Sequence, residues 1–87
     1  MSKVRVQFIP PLNFHIKIDT VDIEVEGQIN IKELEDRLIE ASGERKNEVA
    51  GILRYLTYGV DDNMFSGKEG TIKEGQTVKV YLTKLGG

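Results

Sequence analysis

The stretch Gln76-Thr77-Val78-Lys79-Val80-Tyr81-Leu82-Thr83, followed by Lys84-Leu85-Gly86-Gly87, decides how the chain is read. Val78, Val80 and Leu82 alternate with Thr77, Lys79, Tyr81 and Thr83, the period-two pattern of a strand with one buried face. Glu74-Gly75 before it is turn chemistry. Leu85, Gly86 and Gly87 after it are not strand formers, so residues 1–83 are expected to make one domain and residues 84–87 a flexible tail.

Working back from that strand, Lys3-Val4-Arg5-Val6-Gln7-Phe8 alternates in the same way, with Val4, Val6 and Phe8 inward. Pro10-Pro11 stops it, because proline brings no N–H to a ladder. Val21, Ile23 and Val25 form a second inward set against Asp22, Glu24 and Glu26. That strand is read as starting as early as Ile16, with Leu12 to Thr20 as the hairpin turn before it. Gly27 ends it. Asn30 with Glu33 three residues on reads as a capping box. The helix it opens runs to Ala41, with Ile31, Leu34, Leu38 and Ala41 on one face and Gly43 at its C-terminal end. Beyond it, Val49, Ile52, Leu53 and Leu56 have helical spacing while Tyr55 to Tyr58 suits a strand. A short helix over Glu44–Ala50 and a strand over Arg54–Gly59 are expected. Asp61-Asp62-Asn63 and Ser66-Gly67 are turns. The order is strand, strand, helix, strand, a turn-rich crossing, strand. A sheet with one apolar face can bury it on a single amphipathic helix. The fold class is therefore α+β, a β-grasp with a mixed four- to five-stranded sheet packed on one main helix.

Composition limits the chemistry. The chain has 87 residues, 39% apolar and 30% charged, with a net charge of −2 and no cysteine. A single domain of this size has little room for an enclosed catalytic pocket. Without cysteine there is no disulfide scaffold, zinc knuckle or thiol nucleophile. The slight negative charge disfavours nucleic acid, which needs clustered cations. No segment reaches membrane-spanning length, and the start lacks a signal peptide's apolar core. The expectation is a cytoplasmic protein with neither a nucleic-acid nor a membrane partner.

Catalytic candidates are few. His15 is the single histidine and reads as structural or exposed. Asp61-Asp62 lacks the further oxygen ligands of a calcium loop. Ser42, Ser66 and the threonines have no base near them in sequence, and Gly67, Gly70 and Gly75 spell no phosphate-binding motif. Asp19, Asp22, Glu24 and Glu26 make an outward acidic row, either a solvated face or a docking surface for a basic partner. No catalytic residue and no metal ligand is assigned.

What remains is the terminal Gly86-Gly87. Two residues without Cβ pass through a narrow channel and let another backbone come close. A carboxylate carried there is a poor electrophile until adenylation makes it a mixed anhydride, which a sulfur donor, a thiol or an amine can then attack. None of this needs a catalytic side chain from the chain itself.

The last third resembles the ThiS/MoaD-type sulfur carriers, relatives of ubiquitin. The resemblance is carried by Tyr58-Gly59-Val60-Asp61-Asp62-Asn63-Met64-Phe65-Ser66-Gly67, by Thr71-Ile72-Lys73-Glu74-Gly75-Gln76-Thr77-Val78-Lys79-Val80, and by Gly86-Gly87. It is most similar there to the CysO-like, MoaD-related carriers. Two features depart: the family's Asp-Gly-Asp corner is Glu74-Gly75-Gln76 here, and Tyr81-Leu82-Thr83-Lys84-Leu85 stands where prolines are often found. The resemblance implies a carrier, not an enzyme, that is adenylated and thiocarboxylated at Gly87, with Leu85 and Gly86 as its tail. It implies an E1-like (MoeB/ThiF-type) adenylyltransferase, a sulfur donor and a downstream sulfur-accepting enzyme of molybdopterin, thiamin, cysteine or tRNA thiolation. ATP and Mg²⁺ are used by the activating enzyme, with no cofactor bound permanently, and the free protein is expected to be a monomer. Two other readings stay open: a ubiquitin-like modifier joined through Gly87 to lysines, and a non-covalent β-grasp subunit.

Overall fold

A computed structural model describes residues 2–61, 63–65 and 70–83. Strands β1 (Lys3–Phe8), β2 (Thr20–Glu24), β4 (Leu56–Val60), β5 (Asn63–Phe65) and β7 (Thr77–Leu82) form one sheet in the order β2-β1-β7-β4-β5. β1 and β7 are parallel, with Arg5 opposite Thr77 and Phe8 opposite Val80; the other pairs are antiparallel. β3 (Gln28–Asn30) and β6 (Thr71–Lys73) make a separate two-stranded ribbon. Helices α1 (Leu12–Ile16), α2 (Ile31–Ala41) and α3 (Lys46–Ile52) complete the elements. This is the expected β-grasp, with five strands in the main sheet.

The period-two residues bury as read except Val21 and Leu82, which are half-buried against the core. Val4, Val6, Val78 and Val80 are fully buried, and Phe8, Ile23 and Tyr58 nearly so. They face Ile31, Leu34 and Leu38 of α2 across the core. The α2 capping box is present: the Asn30 side chain accepts from the Glu33 N–H at 2.8 Å, and Glu33 Oε1 accepts from the Asn30 N–H at 3.4 Å. At the other end Ala41 is exposed, contrary to the expected face. Ser42, four residues after Leu38, takes the inward position, and its hydroxyl donates to the Leu38 carbonyl.

Other boundaries also differ. Leu12 to Thr20 is not a plain hairpin turn: it contains α1, whose Leu12 and Ile16, one helical turn apart, are both buried. Ile16 therefore ends a helix, and β2 begins only at Thr20. The short helix is Lys46–Ile52, after a 3₁₀ turn over Gly43–Arg45, and Arg54 and Tyr55 lie in a second 3₁₀ turn before β4. Burial of Val49 fixes α3 against the core. The turn-rich crossing before the last strand holds β5 and β6, and β3 stands between Gly27 and α2 where no strand was expected; each has three residues. The Ser66-Gly67 turn and Asp62 lie outside the described residues.

Two polar constructions hold the layers together. Glu35, on α2, is buried, and its Oε2 accepts from the Tyr58 hydroxyl of β4 at 2.8 Å. Burial, then the bond to Glu35 and its charge, push the Tyr58 phenol well above the usual tyrosine range. The second lies at the β6–β7 corner. The Gly27 N–H donates to Glu74 Oε2 at 2.9 Å, and the Glu74 N–H donates back to the Gly27 carbonyl at 2.9 Å. Gly75, which follows Glu74, takes φ +87, a conformation that a Cβ would strain. Gln76 Oε1 accepts from the Lys73 N–H, while Nε2 donates to Asp61 Oδ2 at 2.9 Å. An aspartate at 76 would set a second carboxylate toward Asp61; the amide turns that approach into a bond.

Replacing Tyr58 by Phe keeps the ring and removes one donor from a buried carboxylate. The expected cost is about 1–3 kcal/mol of unfolding free energy in urea; a loss below the measurement error would show that the bond contributes nothing. Glu74 gives a pH-dependent test. The Gly27 N–H, then the Ser2 hydroxyl, hold its carboxyl below the usual glutamate range. A depressed carboxyl stabilises fully above the unfolded value of about 4.3 and loses that contribution as pH falls through the lowered value. Glu74→Gln should flatten the acid limb of the stability–pH curve, and an unchanged limb would remove Glu74 from it.

Candidate functional site

The surface where β7 leaves the sheet is the most distinctive part of the molecule. β7 lies between β1 and β4; the β1 ladder ends at Val80, and the last two residues of β7 pair with β4 alone. Leu82 is opposite Leu56, Tyr81 opposite Thr57. One residue further, the Thr83 N–H donates to the Tyr55 carbonyl at 2.6 Å, and the Thr83 and Thr57 hydroxyls share a hydrogen bond of 2.7 Å. The chain is thus held firmly up to Thr83. Leu85, Gly86 and Gly87, the site residues expected from sequence, lie outside the described residues.

Two apolar surfaces flank this point. On the outer face of the sheet, Gly59 of β4 is buried beneath side chains of neighbouring strands. A Cβ built there would lie 3.0 Å from Met64 Sδ and 3.2 Å from Tyr81 Cε2. The missing side chain lets a thioether and an aromatic edge meet over the backbone. Met64 remains 57% exposed, so the island faces solvent. Its neighbours across the ladder, Lys79 and Thr57, are polar. On the helical side a groove of about 340 Å³ opens between α1, α3 and the turn after α3, lined by Leu12, Ile16, Ile52, Tyr55 and Leu82, with His15 and Glu48 its polar members. Phe14 on α1 is 71% exposed, and Arg54 lies 5.5 Å from the Tyr55 ring centre.

The remaining sequence candidates are scattered. His15 is an exposed residue of α1. Asp61, at φ +54, has its carboxylate engaged by Gln76. In the acidic row, Asp19 Oδ1 accepts from Asn13 Nδ2 at 2.9 Å, and Asp22 pairs with Arg5 at 3.3 Å. Among the described residues no group of three or more His, Cys, Asp or Glu side chains could hold a metal ion. No described helix is long and apolar enough to cross a membrane.

Sequence reasoning located the end of β7 but missed both flanks. The outer island could have been found from register: Gly59 and Tyr81 sit at outward positions of β4 and β7, and Met64 pairs with Gly59. The groove depends on α1, which had been read as turn.

Gly59→Ala should displace Met64 and Tyr81 and leave the backbone of β4 in place. The contacts are with side-chain ends, so the expected destabilisation is below about 1.5 kcal/mol. The ¹H–¹³C spectrum should show the Met64 methyl and Tyr81 ring shifting while the Val4 and Val6 methyls stay fixed; wholesale shifts in the core would contradict this placement.

No family model matches the chain, and no curated protein matches it. Among solved structures, it is similar to a Pyrococcus furiosus chain assigned as molybdopterin converting factor, subunit 1, with a TM-score of 0.65 over 97% of this chain and 100% of that one. Identity between the two is 17%, so the likeness is one of fold: the chain has a MoaD-like β-grasp fold.

Proposed function

We propose that this chain is a sulfur carrier whose reacting atom is the C-terminal carboxyl carbon of Gly87. The observation that carries the reading is where β7 ends. A central strand fixes Thr83 between two apolar surfaces, and the sequence continues as Lys84-Leu85-Gly86-Gly87. The fold shared with a molybdopterin converting factor subunit supports the same reading.

In this reading an E1-like, MoeB/ThiF-type adenylyltransferase docks on the outer face of the sheet around Met64 and Tyr81 and takes the tail into its own site. The Gly87 carboxylate attacks the α-phosphorus of ATP and pyrophosphate leaves, with Mg²⁺ held by the activating enzyme. The outer sulfur of a persulfide donor then attacks the Gly87 carbonyl carbon and AMP leaves; a second thiol attacks the donor-side sulfur of the resulting acyl disulfide, forming a disulfide with the donor and releasing the Gly87 thiocarboxylate. Its sulfur attacks the acceptor bound by the downstream enzyme, and water cleaves the acyl–sulfur bond to restore the Gly87 carboxylate. Leu85 and Gly86 serve as spacer: the body docks where it is rigid, and the reacting carbon must come within about 3–3.5 Å of the phosphate.

The test combines the full chain with an E1-like adenylyltransferase of this class, ATP and Mg²⁺. Pyrophosphate exchange should appear with the intact protein and disappear when Gly87 is deleted or one residue is added after it, with the fold unchanged. With a sulfur donor, intact mass should rise by one oxygen-for-sulfur exchange and revert on turnover. Undiminished exchange with the truncated protein would overturn the reading. Stable adducts joining Gly87 to lysine ε-nitrogens would replace it with a protein modifier. The absence of proline in Tyr81-Leu82-Thr83-Lys84-Leu85 is the observation that favours that second outcome.

A further inference from the structure

The opposite edge of the sheet has a different character. β2 is the outermost strand, with β1 on one side and, among the described residues, no strand on the other. The bonds just beyond the β1–β2 ladder fix which backbone groups face outward. The Asp19 carbonyl accepts from the Phe8 N–H, and the Val25 N–H donates to the Ser2 carbonyl. Odd-numbered residues of β2 therefore face β1, and Thr20, Asp22 and Glu24 turn their N–H and C=O groups away. The Glu24 carbonyl is taken by Arg37 Nη1 from α2. Among the described residues, no group pairs with the backbone of Thr20 or Asp22 on that side.

Beside this edge runs a groove of about 540 Å³ between β2 and α2, with Ile23 and Ala41 apolar and Asp22, Glu24 and Glu40 acidic against the single cation Arg37. Exposure of Ala41, unexpected from the helical pattern, opens the floor of this groove. On the outer face the charges alternate across the ladder: Arg5 stands opposite Asp22 and Lys3 opposite Glu24.

We infer that the β2 edge accepts an extended, basic polypeptide segment by strand addition. Its main chain would pair with the outward N–H and C=O of Asp22. Its lysines or arginines would stand beside Asp22 and Glu24, extending the alternation of sign by one strand. The side chains between them would point the other way, over Ile23 and Ala41, and are aliphatic in a fitting partner. The pattern is therefore cation, aliphatic, cation. The same carboxylates exclude a second copy of this chain, because antiparallel pairing of two β2 edges sets acid against acid. The edge is thus closed to itself and open to a partner of opposite charge. This inference stands apart from the tail chemistry: it involves the far edge of the sheet and no residue beyond Arg37, Glu40 and Ala41 of α2.

The test is an NMR titration of the isotopically labelled full chain with a short capped peptide alternating lysine and valine. Amide shifts should centre on Thr20, Asp22 and Glu24, and the Asp22 amide should exchange more slowly with solvent when the peptide is bound. A glutamate–valine peptide should produce no shifts. N-methylation of the peptide at its edge-facing amides should abolish binding. Neutralising two cross-strand partners in D22N/E24Q, a change on exposed positions, should weaken binding about fivefold. Shifts spread over the whole surface, equal binding of the N-methylated peptide, or unchanged affinity of D22N/E24Q would each overturn the inference.

Discussion

The parallel pairing of β1 with β7 is the constraint from which the remaining structure follows. Parallel neighbours cannot be joined by a tight turn, so everything between Phe8 and Thr77 must serve as crossover. α2 is the part of that crossover able to cover the sheet, and it carries the apolar stripe Ile31, Leu34 and Leu38 that does so. β2 and β4 then fall on either side of the central pair. The same constraint leads β7 out alongside β4, with Thr83 anchored to Tyr55 and Thr57.

Around that centre, polar side chains set angles that burial alone leaves open. Hydrophobic burial is non-directional. The Tyr58–Glu35 bond ties one point of α2 to one point of β4 through the core. At the corner before β7, Glu74 and Gln76 each use both ends of a side chain or residue: Glu74 closes a loop with Gly27, and Gln76 joins Lys73 to Asp61. Gln76 fits this corner because Asp61 supplies the acceptor that its amide requires.

Much of the fold was legible because its signals are long and periodic. β1, β2, α2 and β7 all carry five or more residues of consistent alternation or helical spacing, and the Asn30–Glu33 box marks the helix start by local chemistry. The elements that escaped are short. Strands of three residues such as β3, β5 and β6 cannot display a period, and α1 shows only Leu12 and Ile16 as its helical pair. Ala41 was misplaced because three- and four-residue spacing both keep to one helix face, and packing selected Ser42. At the candidate site, the strand leading to the tail could be read from sequence. The island over Gly59 could not, because it exists only once register brings Met64 and Tyr81 together.

The central parallel pair also has a consequence during synthesis. Residues 77–82 emerge after every other strand of the main sheet, yet they are its middle. Until they arrive, β1 and β4 share no neighbour, and Val4, Val6, Leu56 and Tyr58 have no strand against which to complete a core. Such late, non-local closure is slow, and incomplete chains expose apolar surface. A nascent or truncated chain ending before Thr77 therefore lacks the finished sheet surface altogether. Any partner that recognises this surface selects, by geometry alone, for chains translated through the strand that precedes the tail.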